Sequence, residues 1–262
     1  MNCPVCSAAE NTSTDHELYL QCKNCQSVFQ YRDIKPVSDY YKEINQIPNN
    51  KNQTGSYRTY ISIIVDNIKI NPDYCLVDIG AGDGTFLELA RKVLHVGEAI
   101  AIENSTVAID LLKKKGLSIA CIEDLSSVHK KIVVSFQVLE HINDPHVFLR
   151  SMYLQQGDYV VLTSPAVDSK YYRWYGKYWK SFSPSHHLVL HSRRGIEYIF
   201  KKANIKILYY GLCISASNSR LDSAIKFLKN FCIWPIRIIL KGYIPPPRFY
   251  GYNSFLVIGR KQ

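Results

Sequence analysis

Three groups of residues have types and spacings that can do chemistry. Cys3 and Cys6 form a Cys-x-x-Cys pair, as do Cys22 and Cys25, with fifteen residues between the pairs. Two such knuckles can present four thiolates tetrahedrally to one Zn2+ ion. Four thiolates close the coordination shell, so the expected role of the metal is to fold a segment too short to hold its own core, not to catalyse. The second group is Asp78, Gly80, Gly82 and Gly84 within Leu76-Val77-Asp78-Ile79-Gly80-Ala81-Gly82-Asp83-Gly84-Thr85-Phe86. Glycines can adopt backbone conformations closed to other residues and let a ligand approach the main chain, while Asp78 can orient a cationic amino-acid moiety. Glu103 ends the next apolar run, where an acid can accept both hydroxyls of a ribose. The spacing Asp-x-Gly-x-Gly-x-Gly differs from the dinucleotide fingerprint Gly-x-Gly-x-x-Gly.

The third group is histidine and aromatic. His141 lies in Gln137-Val138-Leu139-Glu140-His141, and an unperturbed imidazole near pH 6.5 suits a general base for a hydroxyl proton, although a histidine bracing a loop fits equally. Seven of the twelve residues from Tyr171 to Phe182 are aromatic. Tyr171, Trp174, Tyr178 and Trp179 can stack on a sugar or nucleobase, and Arg173, with Lys177 and Lys180, can meet phosphates; packing on protein alone is the alternative for any one ring. His186 and His187 follow at once, one a candidate substrate contact and the other a second candidate base.

These groups must be held by a scaffold, and the pattern alternates. Strands are expected at 74–79, 99–103, 118–122, 132–136, 159–163, 205–210 and 254–259, with helices at about 57–68, 85–93, 105–115, 145–153 and 192–203. The 57–68 helix carries Ile61, Ile64, Val65 and Ile68 on one face. Strand-helix alternation implies an α/β fold, a doubly wound Rossmann-like seven-stranded sheet covered on both faces. The expected organisation is a zinc-ribbon-like module over 1–34, a linker with helices over 35–72 that includes a short helix from about Ser38 to Ile44, and a main domain over 73–262. That domain carries an aromatic lid at 164–191 and an insertion at 212–252.

The ordered elements resemble the class I S-adenosylmethionine-dependent methyltransferases, whose first strand carries a motif like Val77 to Gly84 and whose second ends in a ribose-binding acid. The resemblance covers roughly residues 57–210 plus the last strand, which in that fold runs antiparallel. It implies that Glu103 holds the ribose, that Glu123 or Asp124 lies near the adenine, and that Gln137 lines the cofactor. The Gln137 to Pro145 segment is similar to the small-molecule branch of that superfamily and lacks the Asn-Pro-Pro-Tyr-like motif that holds a planar amine. Pro184-Ser185-His186-His187-Leu188 resembles a family pattern of Pro-x-His-Leu, with one extra residue if His187 takes the histidine place. The cysteine knuckle followed by Val28-Phe29-Gln30 and Tyr40-Tyr41 is similar to methyltransferases of bacterial surface-glycan and deoxysugar pathways, which implies a sugar-containing, phosphorylated acceptor.

Composition bounds the partners. A chain of 262 residues with 47% hydrophobic content has room for one α/β domain and a small appendage. The formal charge of +10 invites an acidic partner, whether nucleic acid, membrane surface or phosphorylated small molecule. An rRNA base methyltransferase is therefore a competing reading, ranked below the small-molecule one, and a non-enzymatic zinc-knuckle binding protein is the other. No stretch reaches the roughly 18 uninterrupted apolar residues of a membrane span, and no apolar run follows Met1, so a cytoplasmic location is expected. The basic, apolar segment 221–241 reads as a helix capping the sheet or forming a dimer face, with peripheral membrane contact as the alternative. Cys75, Cys121, Cys213 and Cys232 are expected to be buried, unreactive thiols.

Overall fold

The computed structural model describes residues 1–31, 53–213 and 253–262. The expected helix from Ser38 to Ile44, the Tyr40-Tyr41 pair, Cys232 and the 221–241 segment lie outside the described residues. In chain order the elements are strands β1 (Asn11–Ser13), β2 (Tyr19–Cys22) and β3 (Val28–Gln30), helix α1 (Thr54–Asn67), β4 (Cys75–Ile79), α2 (Thr85–Arg91), β5 (Glu98–Ile102), α3 (Thr106–Lys114), β6 (Ser118–Ile119) and β7 (Lys131–Phe136). There follow α4 (Pro145–Ser151), β8 (Tyr159–Pro165), α5 (Lys170–Tyr175), β9 (Val189–Leu190), α6 (Arg193–Lys202), β10 (Ile205–Cys213) and β11 (Ser254–Lys261).

Every residue of β4 and β8 is buried, which is why both read as apolar runs without alternation. The large sheet has the order β10-β11-β8-β7-β4-β5-β6. Strands β6, β5, β4, β7 and β8 are parallel, as the strand-helix alternation predicts, and β11 is antiparallel to both β8 and β10, as the resemblance implies. From β4 the chain builds outward to β6 and then returns to β7 on the other side of β4. The order therefore reverses beside the carboxyl ends of β4 and β7, where open α/β sheets bind ligands. The third strand is shorter than predicted because Ile122–Ser126 turns into a 3-10 helix, which leaves Cys121 exposed at its start, contrary to the expectation of a buried thiol.

One face of the sheet is covered by α1 and α2. The buried residues of α1 include Tyr57, Tyr60, Ile61, Ile64 and Ile68 of the adjoining turn, whereas Val65 is 49% exposed. The predicted stripe was thus displaced: the i, i+3, i+4, i+7 row starts from the tyrosines, and Val65 lies one step off it. The tyrosines meet Phe86 and Phe136 with ring centroids 4.7–6.2 Å apart across the group.

The other face packs on α4, α6 and the cysteine module. Val5 and Phe29 join Phe148, Ile196, Ile199 and Phe200 in one apolar cluster, so the module shares the main core. A second, four-stranded sheet, β1-β2-β3-β9, makes the joint, with Val28 opposite Leu190 and Phe29 opposite Val189. Gly195 of α6 allows the close approach, since a Cβ there would lie 2.2 Å from Ser27 Oγ. No helix among the described residues is long and apolar enough to cross a membrane.

Candidate active site

The turn after β4 is built from three left-handed glycines, Gly80, Gly82 and Gly84, with φ of 81°, 56° and 74°. An L side chain pays a steric cost at such angles. Gly80 is also confined in space, because a Cβ would lie 2.5 Å from Val138 Cγ2. The Gly80 amide donates to Ile102 O at 2.9 Å, tying the turn to the end of β5. Glu103, one residue past that strand, accepts from Gly82 N at 2.8 Å through Oε2 and from Asn104 N and Ser105 N through Oε1. Each carboxylate oxygen has about two acceptor directions, so Oε1 is filled and Oε2 keeps one for a ligand hydroxyl.

Asp78 is 2% exposed beneath this turn. Burial, and then the charge of Glu103, push its carboxyl up to about 8. A ligand cation arriving beside it would favour the ionised form again. An orienting carboxyl, a glycine turn and a strand-end acid fit a ligand that carries both a cationic amino-acid group and a ribose. Of the two acids expected near an adenine, Asp124 accepts from Cys121 N at 2.8 Å and so caps the 3-10 helix, while Glu123 is exposed on the same turn.

Gln137 follows β7 in a left-handed conformation, φ 57°, and its Nε2 donates to Thr163 Oγ1 at 3.1 Å. The chain then turns through a 3-10 helix, Leu139–His141, and Glu140 O accepts from Leu188 N at 2.7 Å. That bond draws residues 186–188 against the end of β7. His141, His186 and His187 have ring centroids 4.5–5.4 Å apart. His141 Nδ1 lies 2.8 Å from His186 O, a main-chain acceptor that braces the ring. His187 Nδ1 lies 2.8 Å from Ser181 O. Such a bond makes Nδ1 the protonated nitrogen and Nε2 the acceptor.

Burial, followed by the charge of His141, pushes His187 down to about 3 and His186 to about 4; burial also lowers His141. Glu140, invisible as a site residue in the sequence, is 1% exposed, and burial raises its carboxyl to about 8. Its Oε2 has no hydrogen-bond partner among the described residues, and a carboxylate oxygen, His141 and His187 offer ligand atoms within 4.8 Å of one another. A Glu between Leu139 and His141 reads as surface in the sequence, with no periodic signal to say otherwise. Tyr57 and Tyr60 were likewise missed, and only their i, i+3 spacing could have pointed to them.

The aromatic segment divides in two. Tyr175, Trp179 and Phe182 are buried with Tyr19, Val28, Val167 and Leu190 beneath the cysteine module. Trp179, at 4% exposure, is therefore committed to packing, whereas Trp174 is 55% exposed and Tyr178 and Arg173 are exposed beside it. Tyr171 is half-buried and stacks on Tyr175 at 5.6 Å.

Cys3, Cys6, Cys22 and Cys25 are all buried with their sulfurs within 4.8 Å of one another. Cys3 and Cys25 sulfurs lie 3.6 Å apart, Cys6 and Cys22 sulfurs 3.5 Å, and Asn24 Nδ2 donates to Cys6 Sγ at 3.4 Å. The hydrogen bond with Cys3 lowers Cys25 to about 5 and raises Cys3. Four converging sulfurs with an amide donor suit a closed tetrahedral metal site.

Over residues 42–210 the chain matches the family described as a methyltransferase domain. No curated protein matches it. Among solved structures it resembles a chain of the complex between the Haloferax volcanii Trm112 methyltransferase activator and a methyltransferase, with 14% identity, coverage of 87% of this chain and 99% of that one, and a TM-score of 0.58. It also resembles coclaurine N-methyltransferase bound to N-methylheliamine and SAH (11%, 88% and 84%, 0.55) and a SAM dependent methyltransferase from Archaeoglobus fulgidus (19%, 86% and 99%, 0.50). At these identities the likeness is one of fold.

Proposed function

The chain belongs to the methyltransferase-domain family, and from that premise we propose that it methylates a hydroxyl or carbon of a sugar-containing small molecule, such as a nucleotide-sugar or surface-glycan precursor. The observation that supports the acceptor class is the cluster of His141, His186, His187 and Glu140 at the carboxyl end of β7. Imidazoles kept neutral by burial are hydrogen-bond acceptors, which suits ordering hydroxyl groups.

S-adenosylmethionine, when bound, supplies an electrophilic methyl group on a sulfonium. Asp78 and the Gly80–Gly84 turn would hold its amino-acid end and Glu103 its ribose, Gln137 would line the cofactor, and Glu123 or Asp124 would lie near the adenine. Most of the acceleration then comes from fixing an acceptor oxygen in line at about 3 Å from the methyl. With Nδ1 on Ser181 O, His187 Nε2 is the acceptor for the hydroxyl proton. The oxygen becomes far more acidic as its bond to the methyl forms, so an imidazole weaker than the free one suffices as base. His141 braces the loop that carries His186 and His187. Cys3, Cys6, Cys22 and Cys25 would hold a structural Zn2+ ion, which would stabilise the module that supports this loop.

The test is to incubate the protein with labelled S-adenosylmethionine and fractionated cell extract. Label is expected in nucleotide-sugars or glycolipid. Label confined to RNA would overturn the reading in favour of the base methyltransferase that the charge of +10 also suits.

A further inference from the structure

A cleft of 560 Å3 opens where the cysteine module meets the aromatic segment and α6. Gln21 and Gln26 line it from the module, Asp168 from the loop after β8, Tyr172 and Arg173 from α5, and Arg194 from α6. Neither the module nor the main domain could form this cleft alone.

The cleft carries two guanidiniums against one carboxylate. Arg173 and Arg194 are exposed and make no ion pair or hydrogen bond among the described residues, in contrast to Arg193, which is paired with Glu197 at 2.9 Å. The one carboxylate present, Asp168, already accepts the main-chain N–H of Arg193. It fixes the start of α6 and so the wall from which Arg194 projects. Two guanidiniums from different helices on one cleft repel each other unless a shared anion lies between them, and their planar forks match phosphoryl oxygens. The polar groups around them are mostly acceptors. Gln21 Nε2 donates to Gln26 O at 3.1 Å and Gln26 Nε2 to Lys23 O at 2.7 Å, which leaves both Oε1 atoms for a ligand's hydroxyls. Tyr172, anchored on Trp179 and Phe182 at 5.5 and 5.9 Å, adds a ring face and a phenol.

We infer that this cleft is a subsite for the phosphoryl group of a glycosyl phosphate, with Arg173 and Arg194 on the phosphate and the glutamine oxygens on the sugar hydroxyls. It refines the proposed function by assigning where the anionic part of the acceptor is held, and it rests on that reading only for the name of the sugar. The same chemistry is offered by a soluble sugar phosphate and by a lipid-borne phosphate head group.

The experiment titrates the zinc-loaded full chain calorimetrically with glucose 1-phosphate, with glucose, and separately with S-adenosylhomocysteine, and sediments it with phosphatidylglycerol vesicles. Glucose 1-phosphate is expected to bind and glucose not to bind. Arg173→Gln and Arg194→Gln are each expected to weaken phosphate binding about tenfold or more, the loss of one charge-assisted contact, while S-adenosylhomocysteine affinity is unchanged. Lys201→Gln, at the far end of α6, is the control for net charge and should bind like the parent. Vesicle binding that needs both arginines, without binding of glucose 1-phosphate, supports the cleft with a lipid-borne phosphate as its source. Phosphate binding indifferent to both arginines, or no binding of either probe, overturns the subsite. Retained S-adenosylhomocysteine binding in that case leaves the methyltransferase reading standing, and its loss would strike at that reading separately.

Discussion

Gln30 donates its side-chain amide to the main-chain oxygen of His187 at 2.6 Å, joining positions 157 residues apart. The same amide reaches Pro184 O at 3.0 Å, and the Tyr19 hydroxyl donates to His187 O at 2.9 Å. The cysteine module thus grips the backbone of the histidine loop, and His146 Nε2 against Val5 O and Ser192 Oγ donating to Cys25 O hold the module down from the other side. A disturbance in the module is therefore transmitted to the imidazoles by hydrogen bonds.

Gln30→Leu removes two donors to that loop and should cost about 1 kcal/mol of stability, the net worth of such a bond. The loss is small because Gln30 Oε1 is itself buried without a partner among the described residues and an apolar side chain relieves that. The expected kinetic effect is a lower kcat with S-adenosylhomocysteine affinity unchanged, measured by turnover and by calorimetric titration. A parallel fall in cofactor affinity would mean that the loop is not what Gln30 holds.

Metal loss should act along the same route. The protein is expected to carry about one zinc per chain, and Cys22→Ser should reduce that content by breaking the tetrahedral set. Trp179 reports the consequence, because its ring is buried against Tyr172 and Phe182, in the cluster that includes Tyr19 of the module. Its fluorescence should shift to the red as water enters, and methyl transfer should fall with it. Full zinc content and unshifted emission in Cys22→Ser would separate the metal from the fold of the module.

What could be read in the sequence follows from how local each constraint is. Gly80, Gly82 and Gly84 are legible because a left-handed backbone demands glycine whatever surrounds it. The strands β4, β7 and β8 are legible because burial on both faces leaves mostly apolar residues without alternation, as in Leu76-Val77, Ile132-Val133-Val134 and Val160-Val161-Leu162. The pairing of Val28 with Leu190 is not, since a two-residue strand carries no period and its partner lies some 160 residues away. Glu140 was missed for the opposite reason: a charged residue reads as surface, and its burial is imposed by the tertiary fold around β8 and Leu188. The commitment of Trp179 to packing was equally hidden, because the sequence shows an aromatic segment but not which rings the module covers.

Gly80→Ala combines two penalties that a double variant can separate. The φ of 81° is strained for alanine, and the new Cβ would meet Val138 Cγ2 at 2.5 Å. The single change should cost about 1–3 kcal/mol in a denaturant titration and weaken S-adenosylhomocysteine binding. Adding Val138→Ala removes the clash but not the backbone strain, so stability should recover in part. If the double variant is no more stable than the single one, contact with Val138 is not part of the cost.

The pH dependence of stability has two opposing limbs. His186, His187 and His191 are held at about 4, 3 and 3 chiefly by burial, and His141 is also lowered, against an ordinary value of about 6.5. Between those values the unfolded chain binds more protons at the imidazoles, so their contribution is complete above about pH 6.5 and is lost as the pH falls. Asp78 and Glu140, raised to about 8, work the other way. There the folded state holds protons that an ordinary carboxyl releases near pH 4, so their contribution declines as the pH rises through 8. Four imidazoles outweigh two carboxyls where the windows overlap, and above about pH 6.5 the two carboxyls outweigh the one opposing group, the Cys25 thiol held at about 5. Thermal stability is therefore expected to rise from about pH 5.5, peak near 6.5 and decline toward 8.5. Asp78→Asn, which removes one ionisation, should flatten the alkaline limb and leave the acid limb in place. A melting temperature that climbs steadily to pH 8.5 in the parent protein would contradict the burial of these two acids.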